Sequence, residues 1–261
     1  PHLDDFMDGF SKGKLYVVGG RPGMGKTSFL NSLFTQFIKQ DSVLFCSVGC
    51  PSDDVIARIV SNYSIQEGKE EELDTLRNEL AQYKFFVNTD TNFDLIKTNI
   101  SNLQHTQNIG AVIIDDLQLI QSYKNSYRER EIRSYMAGLK DLSRELGICI
   151  IVSSQLSRAV EARGGEKRPQ LSDLRDSGSI EEFADVVLFI YKAMYYGITE
   201  TEEGMSTAGF CEVIIAKNNI GNSGDVSIGY QKNRFFEYIK PSDLMMPERL
   251  PKKGIDDIIK K

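Results

Sequence analysis

Apolar residues recur along this chain in two rhythms. Short runs dense in Val, Ile, Leu and Phe alternate with longer stretches whose apolar positions return at helical spacing. The short runs predict strands over 14–18, 42–48, 85–88, 111–114, 148–153, 186–191, 212–217, 225–230 and 235–239. The helical stretches are 25–39, 52–63, 70–82, 93–105 and 128–146. Several early runs are continuous rather than alternating, as expected of strands covered on both faces of a parallel sheet. Strand–helix alternation predicts an α/β domain with a mostly parallel central sheet flanked by helices. After Tyr191 the rhythm changes: Gly221, Asn222, Ser223 and Gly224 separate two strands closely, predicting antiparallel strands at the C-terminal edge. The polar stretch 193–209 reads as a mobile loop. The domain is expected over 1–240, with 241–261, broken by Pro241, Pro247 and Pro251, as a C-terminal tail.

Composition narrows the class. The 261 residues suffice for one α/β core, and no apolar run approaches the roughly 20 residues that span a bilayer. The opening PHLDDFMDGF carries no secretory pattern and no initiator Met, so further residues are expected upstream. Of four cysteines, Cys46, Cys149 and Cys211 sit in apolar runs. Cys50 follows Cys46 without a second Cys/His pair, which argues against a cysteine metal site and for a reducing cytoplasm. Net charge is −6, yet 124–175 holds eleven basic and seven acidic residues. That local excess suits a phosphate-binding surface, and a solvated helix face explains it equally well.

Four segments carry chemistry. LYVVGGRPGMGKTSFL fits G-x-x-x-x-G-K-[ST], with a strand before it and a helix after it. Its glycines let successive N–H groups face phosphate oxygens, and the helix dipole adds to this. The candidate nucleotide-binding residues are Gly20, Arg21, Pro22, Gly23, Met24, Gly25, Lys26, Thr27 and Ser28. Lys26 offers a charge to the β and γ phosphates, and the Thr27 hydroxyl offers a ligand to Mg²⁺. In IGAVIIDDLQLI, the apolar strand ends in Asp115, placed to hold a hydrated Mg²⁺ at the carboxyl edge of the sheet. ICIIVSSQLSR ends its apolar run in Gln155, an amide that can sense a γ-phosphate or orient a water. The last segment, RPQLSDLRDSGSIEEFADVVLFIY, reads as a loop, a turn around Ser177 and Gly178, a helix from Ser179 and a buried strand. There Arg175 and the glycine backbone could meet nucleic-acid phosphates, or Arg175 could pair with Asp173 or Asp176.

In this order, GGRPGMGKT, VIIDDLQLI, SSQLSR and SDLRDSGSIE resemble the RecA-type motor domain of the DnaB-like replicative DNA helicases. The resemblance runs from about Phe6 to about Ile239, and SDLRDSGSIEEFAD sets it apart from recombinases and circadian-clock ATPases. It implies a RecA-like P-loop fold in a homo-hexameric ring, with ATP and Mg²⁺ between neighbours and single-stranded DNA in the channel. It also implies five-prime to three-prime translocation, duplex unwinding, a primase and a helicase loader as partners, and an N-terminal domain with a linker helix upstream. Carried over, Lys26, Thr27, Asp115, Gln155 and Lys217 form the catalytic set, while Arg175, Asp176 and Gly178 fall in the DNA loop.

Two positions depart from the family pattern. Where it reads S-L-E-M-P, with the Glu as general base, this chain has Ser47-Val48-Gly49-Cys50-Pro51. Where it reads K-Q-R-N-G, with the Arg reaching a neighbour's γ-phosphate, this chain has Lys217-Asn218-Asn219-Ile220-Gly221. Losing a positioned base costs ~10²–10⁴ in rate, and losing an arginine finger ~10³–10⁵. Three accounts are open. Asp116 substitutes as base, with Arg234 supplying charge; or the domain binds ATP with little turnover, as a scaffold or regulatory paralogue; or the register shifts and Asp53 or Asp54 is the base.

Overall fold

The computed structural model of the chain describes residues 3–67, 73–121, 127–174, 177–201, 204, 206–231 and 234–236. Its elements run α1 (Asp4–Met7), β1 (Leu15–Gly20), α2 (Lys26–Phe37), β2 (Val43–Ser47), α3 (Ser52–Glu67), α4 (Leu73–Leu80), β3 (Phe85–Asn88), α5 (Phe93–Gln107) and β4 (Ala111–Asp115). Then follow α6 (Arg128–Glu145), β5 (Cys149–Gln155), α7 (Ala159–Ala162), α8 (Ser177–Phe183), β6 (Val186–Tyr191), β7 (Phe210–Asn218), β8 (Gly224–Gln231) and β9 (Arg234–Phe236).

The nine strands form one sheet in the order β3-β2-β4-β5-β1-β6-β7-β8-β9. Its first six strands are parallel, and β7, β8 and β9 continue it antiparallel. The continuous apolar runs have the cause assigned to them. Along β1, Tyr16 and Val18 belong to the core cluster that contains Phe34 of α2 and Ile59 of α3, and Leu15 and Val17 to the cluster that contains Ile96 of α5 and Met136 of α6. Both faces are covered, so every position of β1 is buried. Each burial removes apolar area from water at about 25 cal/mol per Å².

The strands at the site are longer than their apolar stretches. β1 runs on through Gly19 and Gly20, and β5 through Ser154 and Gln155, because these residues pair with one another. Backbone pairing, not side-chain hydrophobicity, sets those ends. Helix α8 starts at Ser177, so the turn expected around Ser177 and Gly178 is its first turn. The stretch expected as a mobile loop contains a 3₁₀ turn over Ala193–Tyr196. There Tyr196 stacks on Tyr191 with ring centroids 6.1 Å apart, and Thr207 is buried with its hydroxyl donating to the Ile198 carbonyl. Aromatic side chains inside that polar stretch fold it back on the domain. The end of the expected last strand and the tail 241–261 lie outside the described residues.

Candidate nucleotide site

Parallel strands β4, β5 and β1 are adjacent, so their carboxyl ends deliver Asp115, Gln155 and Gly20 to one edge. Gly20 pairs in register with Gln155, and Ser47 with Asp115. Beyond Gly20 the chain turns through Gly23 (φ 83°) and Gly25 (φ 93°), left-handed conformations that glycine adopts without steric cost. Gly25 is the N-cap of α2, and no side chain caps that helix. The first-turn N–H groups are thus not claimed by a capping side chain, which is the arrangement that takes up an anion.

The polar groups converge on Asp115. Thr27 donates its hydroxyl to Asp115 Oδ2 at 2.6 Å, and Ser153 donates to Oδ1. Lys26 donates Nζ to the Gly20 carbonyl at 2.9 Å, folding back over its own loop. Burial lowers the Lys26 pKa, and the charges of Asp115 and Asp116 oppose that shift. Asp116 has a raised pKa, mainly through burial and then through the neighbouring Asp115 charge. Its Oδ1 accepts the Leu119 N–H at 3.2 Å, capping the short 3₁₀ turn Leu117–Leu119.

Other expected residues stand apart from this cluster. Arg21 is buried and turned to Glu161 (Nε to Oε1, 2.8 Å) and to the Leu156 carbonyl (2.8 Å), fastening the loop to α7. Pro22 and Gly23 are exposed at the loop tip, whereas the Met24 side chain is buried in the core, so only its backbone can serve the loop. Lys217 donates to the carbonyls of Glu181 (2.6 Å) and Ala184 (2.7 Å), so its ammonium caps the C-terminal end of α8. Gly178 is exposed in the first turn of α8, with nothing within 4 Å of where a Cβ would stand, while Arg175 and Asp176 lie outside the described residues.

The two departures are placed clearly. Gly49 is left-handed, at φ 72°, in the turn between β2 and α3. Asn219 is exposed in the turn between β7 and β8. Asp53 and Asp54 are exposed in the first turn of α3, and neither figures among the charges acting on Lys26, whereas Asp116 does. Among the described residues, five of the eleven basic side chains of 124–175 are held in ion pairs. Arg128 pairs with Glu131, Arg133 with Glu182, Lys140 with Asp185, Arg163 with Asp173, and Arg168 with both Glu212 and Asp225.

Several residues at the site had no signal in motif or periodicity. Lys192 is buried with its ammonium 3.1 Å from the Tyr230 ring centroid, and an added Cβ at Gly25 would lie 3.1 Å from Nζ. Burial lowers its pKa to about 8. Tyr230 hydrogen-bonds the Ser28 side chain, and Tyr195 lies against Gly23. Ser153 and Gln118 were also missed. Their one signal is polarity at the end of apolar β5 and in the turn after apolar β4.

The DnaB-like helicase C-terminal domain family matches residues 1–237 of the chain. The chain belongs to that family. A probable replicative DNA helicase of Trieres chinensis is 35% identical over 257 residues, covering 91% of this chain and 56% of that protein. A replicative DNA helicase DnaB of Rickettsia typhi is 36% identical, with 88% and 51% covered. A solved ATPase domain superposes with a TM-score of 0.79 at 28% identity, covering 91% of this chain and 89% of that one. This DnaB-like domain thus has the RecA-like fold, and it spans about half the length of the curated relatives it matches. Among its described residues no helix is long and apolar enough to cross a membrane.

Proposed function

We propose that this domain is the ATP-hydrolysing motor of a hexameric replicative DNA helicase, which couples turnover to translocation on single-stranded DNA and duplex unwinding. The observation that carries the reading is the convergence of Thr27 and Ser153 on Asp115, one strand away from the Gly20–Gln155 edge. The Thr27 hydroxyl and the Asp115 carboxylate are hard oxygen donors 2.6 Å apart, a set that suits Mg²⁺. Bound there with ATP, Mg²⁺ supplies charge neutralisation for the phosphates.

The chain's own residues do the rest. Lys26 exchanges the Gly20 carbonyl for the β and γ phosphates, since a phosphate oxygen is the stronger partner for an ammonium. The uncapped N–H groups of α2 and the backbone of 20–28 hold the remaining oxygens. With glycine at 49, Asp116 is the carboxylate next to Asp115 whose charge also reaches Lys26, and burial followed by the Asp115 charge raises its pKa in the direction a general base needs. Gln155 orients the water beside Gly20.

The domain spans 1–240, with 241–261 as a tail, in a cytoplasmic protein. Arg175, Asp176 and Gly178 are the residues assigned to DNA contact by the family pattern, and the exposed turn at Asn219 is assigned to the neighbouring subunit. A solved DnaB-like replicative helicase, described together with its interactions with primase, has a TM-score of 0.79 to this chain at 28% identity, covering 91% of this chain and 60% of that one. It supports primase as a partner here, with a loader as the second. Steady-state ATP hydrolysis with and without single-stranded DNA tests the reading. DNA stimulates turnover, and Lys26→Ala abolishes it. Turnover equal to that of Lys26→Ala, with ATP binding intact, would replace the motor by an ATP-holding scaffold.

A further inference from the structure

Gln118 stands between the site and an exposed surface. It is half-buried in the 3₁₀ turn after β4. Its Oε1 accepts the Gln155 backbone N–H at 2.9 Å, and its Nε2 donates to Ser154 Oγ at 3.0 Å. A backbone N–H only donates, so this bond fixes the amide's orientation and turns Nε2 to the serine. Both bonds sit at the end of β5 where Gln155 meets Gly20.

The other side of the same turn is held by α6. Arg128 donates to the carbonyls of Ile120 (2.9 Å), Gln118 (2.9 Å) and Leu117 (3.3 Å), and pairs with Glu131 at 3.1 Å. With Asp116 capping the turn, residues 116–120 form a block bonded to β5 on one side and to the first turn of α6 on the other. Leu119 stands 54% exposed in that block. Tyr127, 78% exposed, precedes α6 with the Arg130 guanidinium 5.5 Å from its ring centroid.

We propose that Gln118 is a positioning residue that transmits the state of the Gly20–Gln155 edge, ADP or a γ-phosphate, to the surface at Leu119 and Tyr127. The inference rests on the proposed nucleotide site. A displacement of the Gln155 backbone toward a γ-phosphate pulls on an amide with no slack, and the block carries α6's first turn with it. Removing the amide cuts the connection at β5, and removing Arg128 cuts it at α6.

Hydrogen exchange on the chain with Mg²⁺ and either ADP or ATPγS tests this without requiring turnover. In the wild type, ATPγS slows exchange across 117–121 and 127–136 more than ADP does. In Gln118→Met, compared at nucleotide concentrations that saturate the variant, that extra protection falls about fivefold, the value of one net hydrogen bond. Gln118→Glu keeps the acceptor for Gln155, and the Ser154 hydroxyl can donate in turn, so it restores the difference. A purely structural role would alter the ADP and ATPγS complexes alike. Equal protection by the two nucleotides in the wild type, or a Gln118→Met response equal to the wild type's, would overturn the inference and leave the nucleotide site standing. Failure of either nucleotide to bind would overturn both.

Discussion

Gly49→Glu puts a carboxylate where the family's S-L-E-M-P segment carries one, and its consequences can be worked out beforehand. Gly49 has φ 72°, so any side chain there pays the left-handed cost of about 1–2 kcal/mol. An added Cβ would be 3.5 Å from Thr91 Cγ2, ordinary van der Waals contact, so no clash adds to it. The Gly49 N–H bond to the Thr89 carbonyl is backbone and survives. Urea unfolding should therefore register a loss of about 1–2 kcal/mol, with an unchanged slope. If Asp116 serves as base, as proposed, the new glutamate changes steady-state ATP turnover by less than about tenfold, under about 1.4 kcal/mol in barrier. Asp116→Asn lowers turnover by ~10²–10⁴ while nucleotide affinity holds, and Gly49→Glu in that background recovers part of the loss. If Gly49→Glu alone raised turnover by about 10² or more, the unmodified chain would lack a base and the role given to Asp116 would be wrong.

Three further outcomes follow from other contacts. Ser153→Ala leaves Asp115 with Thr27 as the remaining hydroxyl donor of the two described; calorimetry should find Mg·ATP affinity down by about 1–3 kcal/mol, with metal-free ADP unaffected. Lys140→Met strands Asp185, which is buried and otherwise accepts the Leu15 N–H at 2.7 Å; the loss should be about 3–5 kcal/mol in urea unfolding, and under about 1 kcal/mol would refute it. Lys192 titrates near 8 when folded and near 10.5 when unfolded, so between those values the unfolded chain binds the extra proton. Its contribution to stability therefore rises from pH 8 to pH 10.5, by about 3 kcal/mol in all. Unfolding at stepped pH should show that slope in the wild type and lose it in Lys192→Met.

The sheet and the nucleotide motif were legible because each is written in consecutive residues. The run VVLFIY is apolar throughout since both its faces are covered, and the strand Val186–Tyr191 has the expected bounds. GGRPGMGKT needs its glycines for backbone reasons that hold in any setting. What could not be read depends on partners far away in the chain. Lys217 matches a catalytic position, yet its ammonium meets the end of α8, a contact no local pattern encodes. Met24 lies within the phosphate motif, yet its side chain is core. Lys192 follows a strand and carries no local mark of its burial, which depends on β8 placing Tyr230 beneath it. Arg21 pairs with Glu161, 140 positions on, which is visible only after the chain has folded.

That separation has a consequence for how the domain comes into being. The bond from Thr27 to Asp115 spans 88 residues, that from Ser153 to Asp115 spans 38, and the Arg21–Glu161 pair that fastens the loop spans 140. Contacts of such reach form late, because the loops between them must be closed before they reward the chain. The site is therefore complete only when the whole domain is folded. A ligand that recognises only the finished arrangement acts on the whole domain as a latch, worth about 2.7 kcal/mol at about a hundred times its dissociation constant. In a cell well supplied with the ligand, the working concentration of nucleotide would then help decide how much of this chain is folded at all.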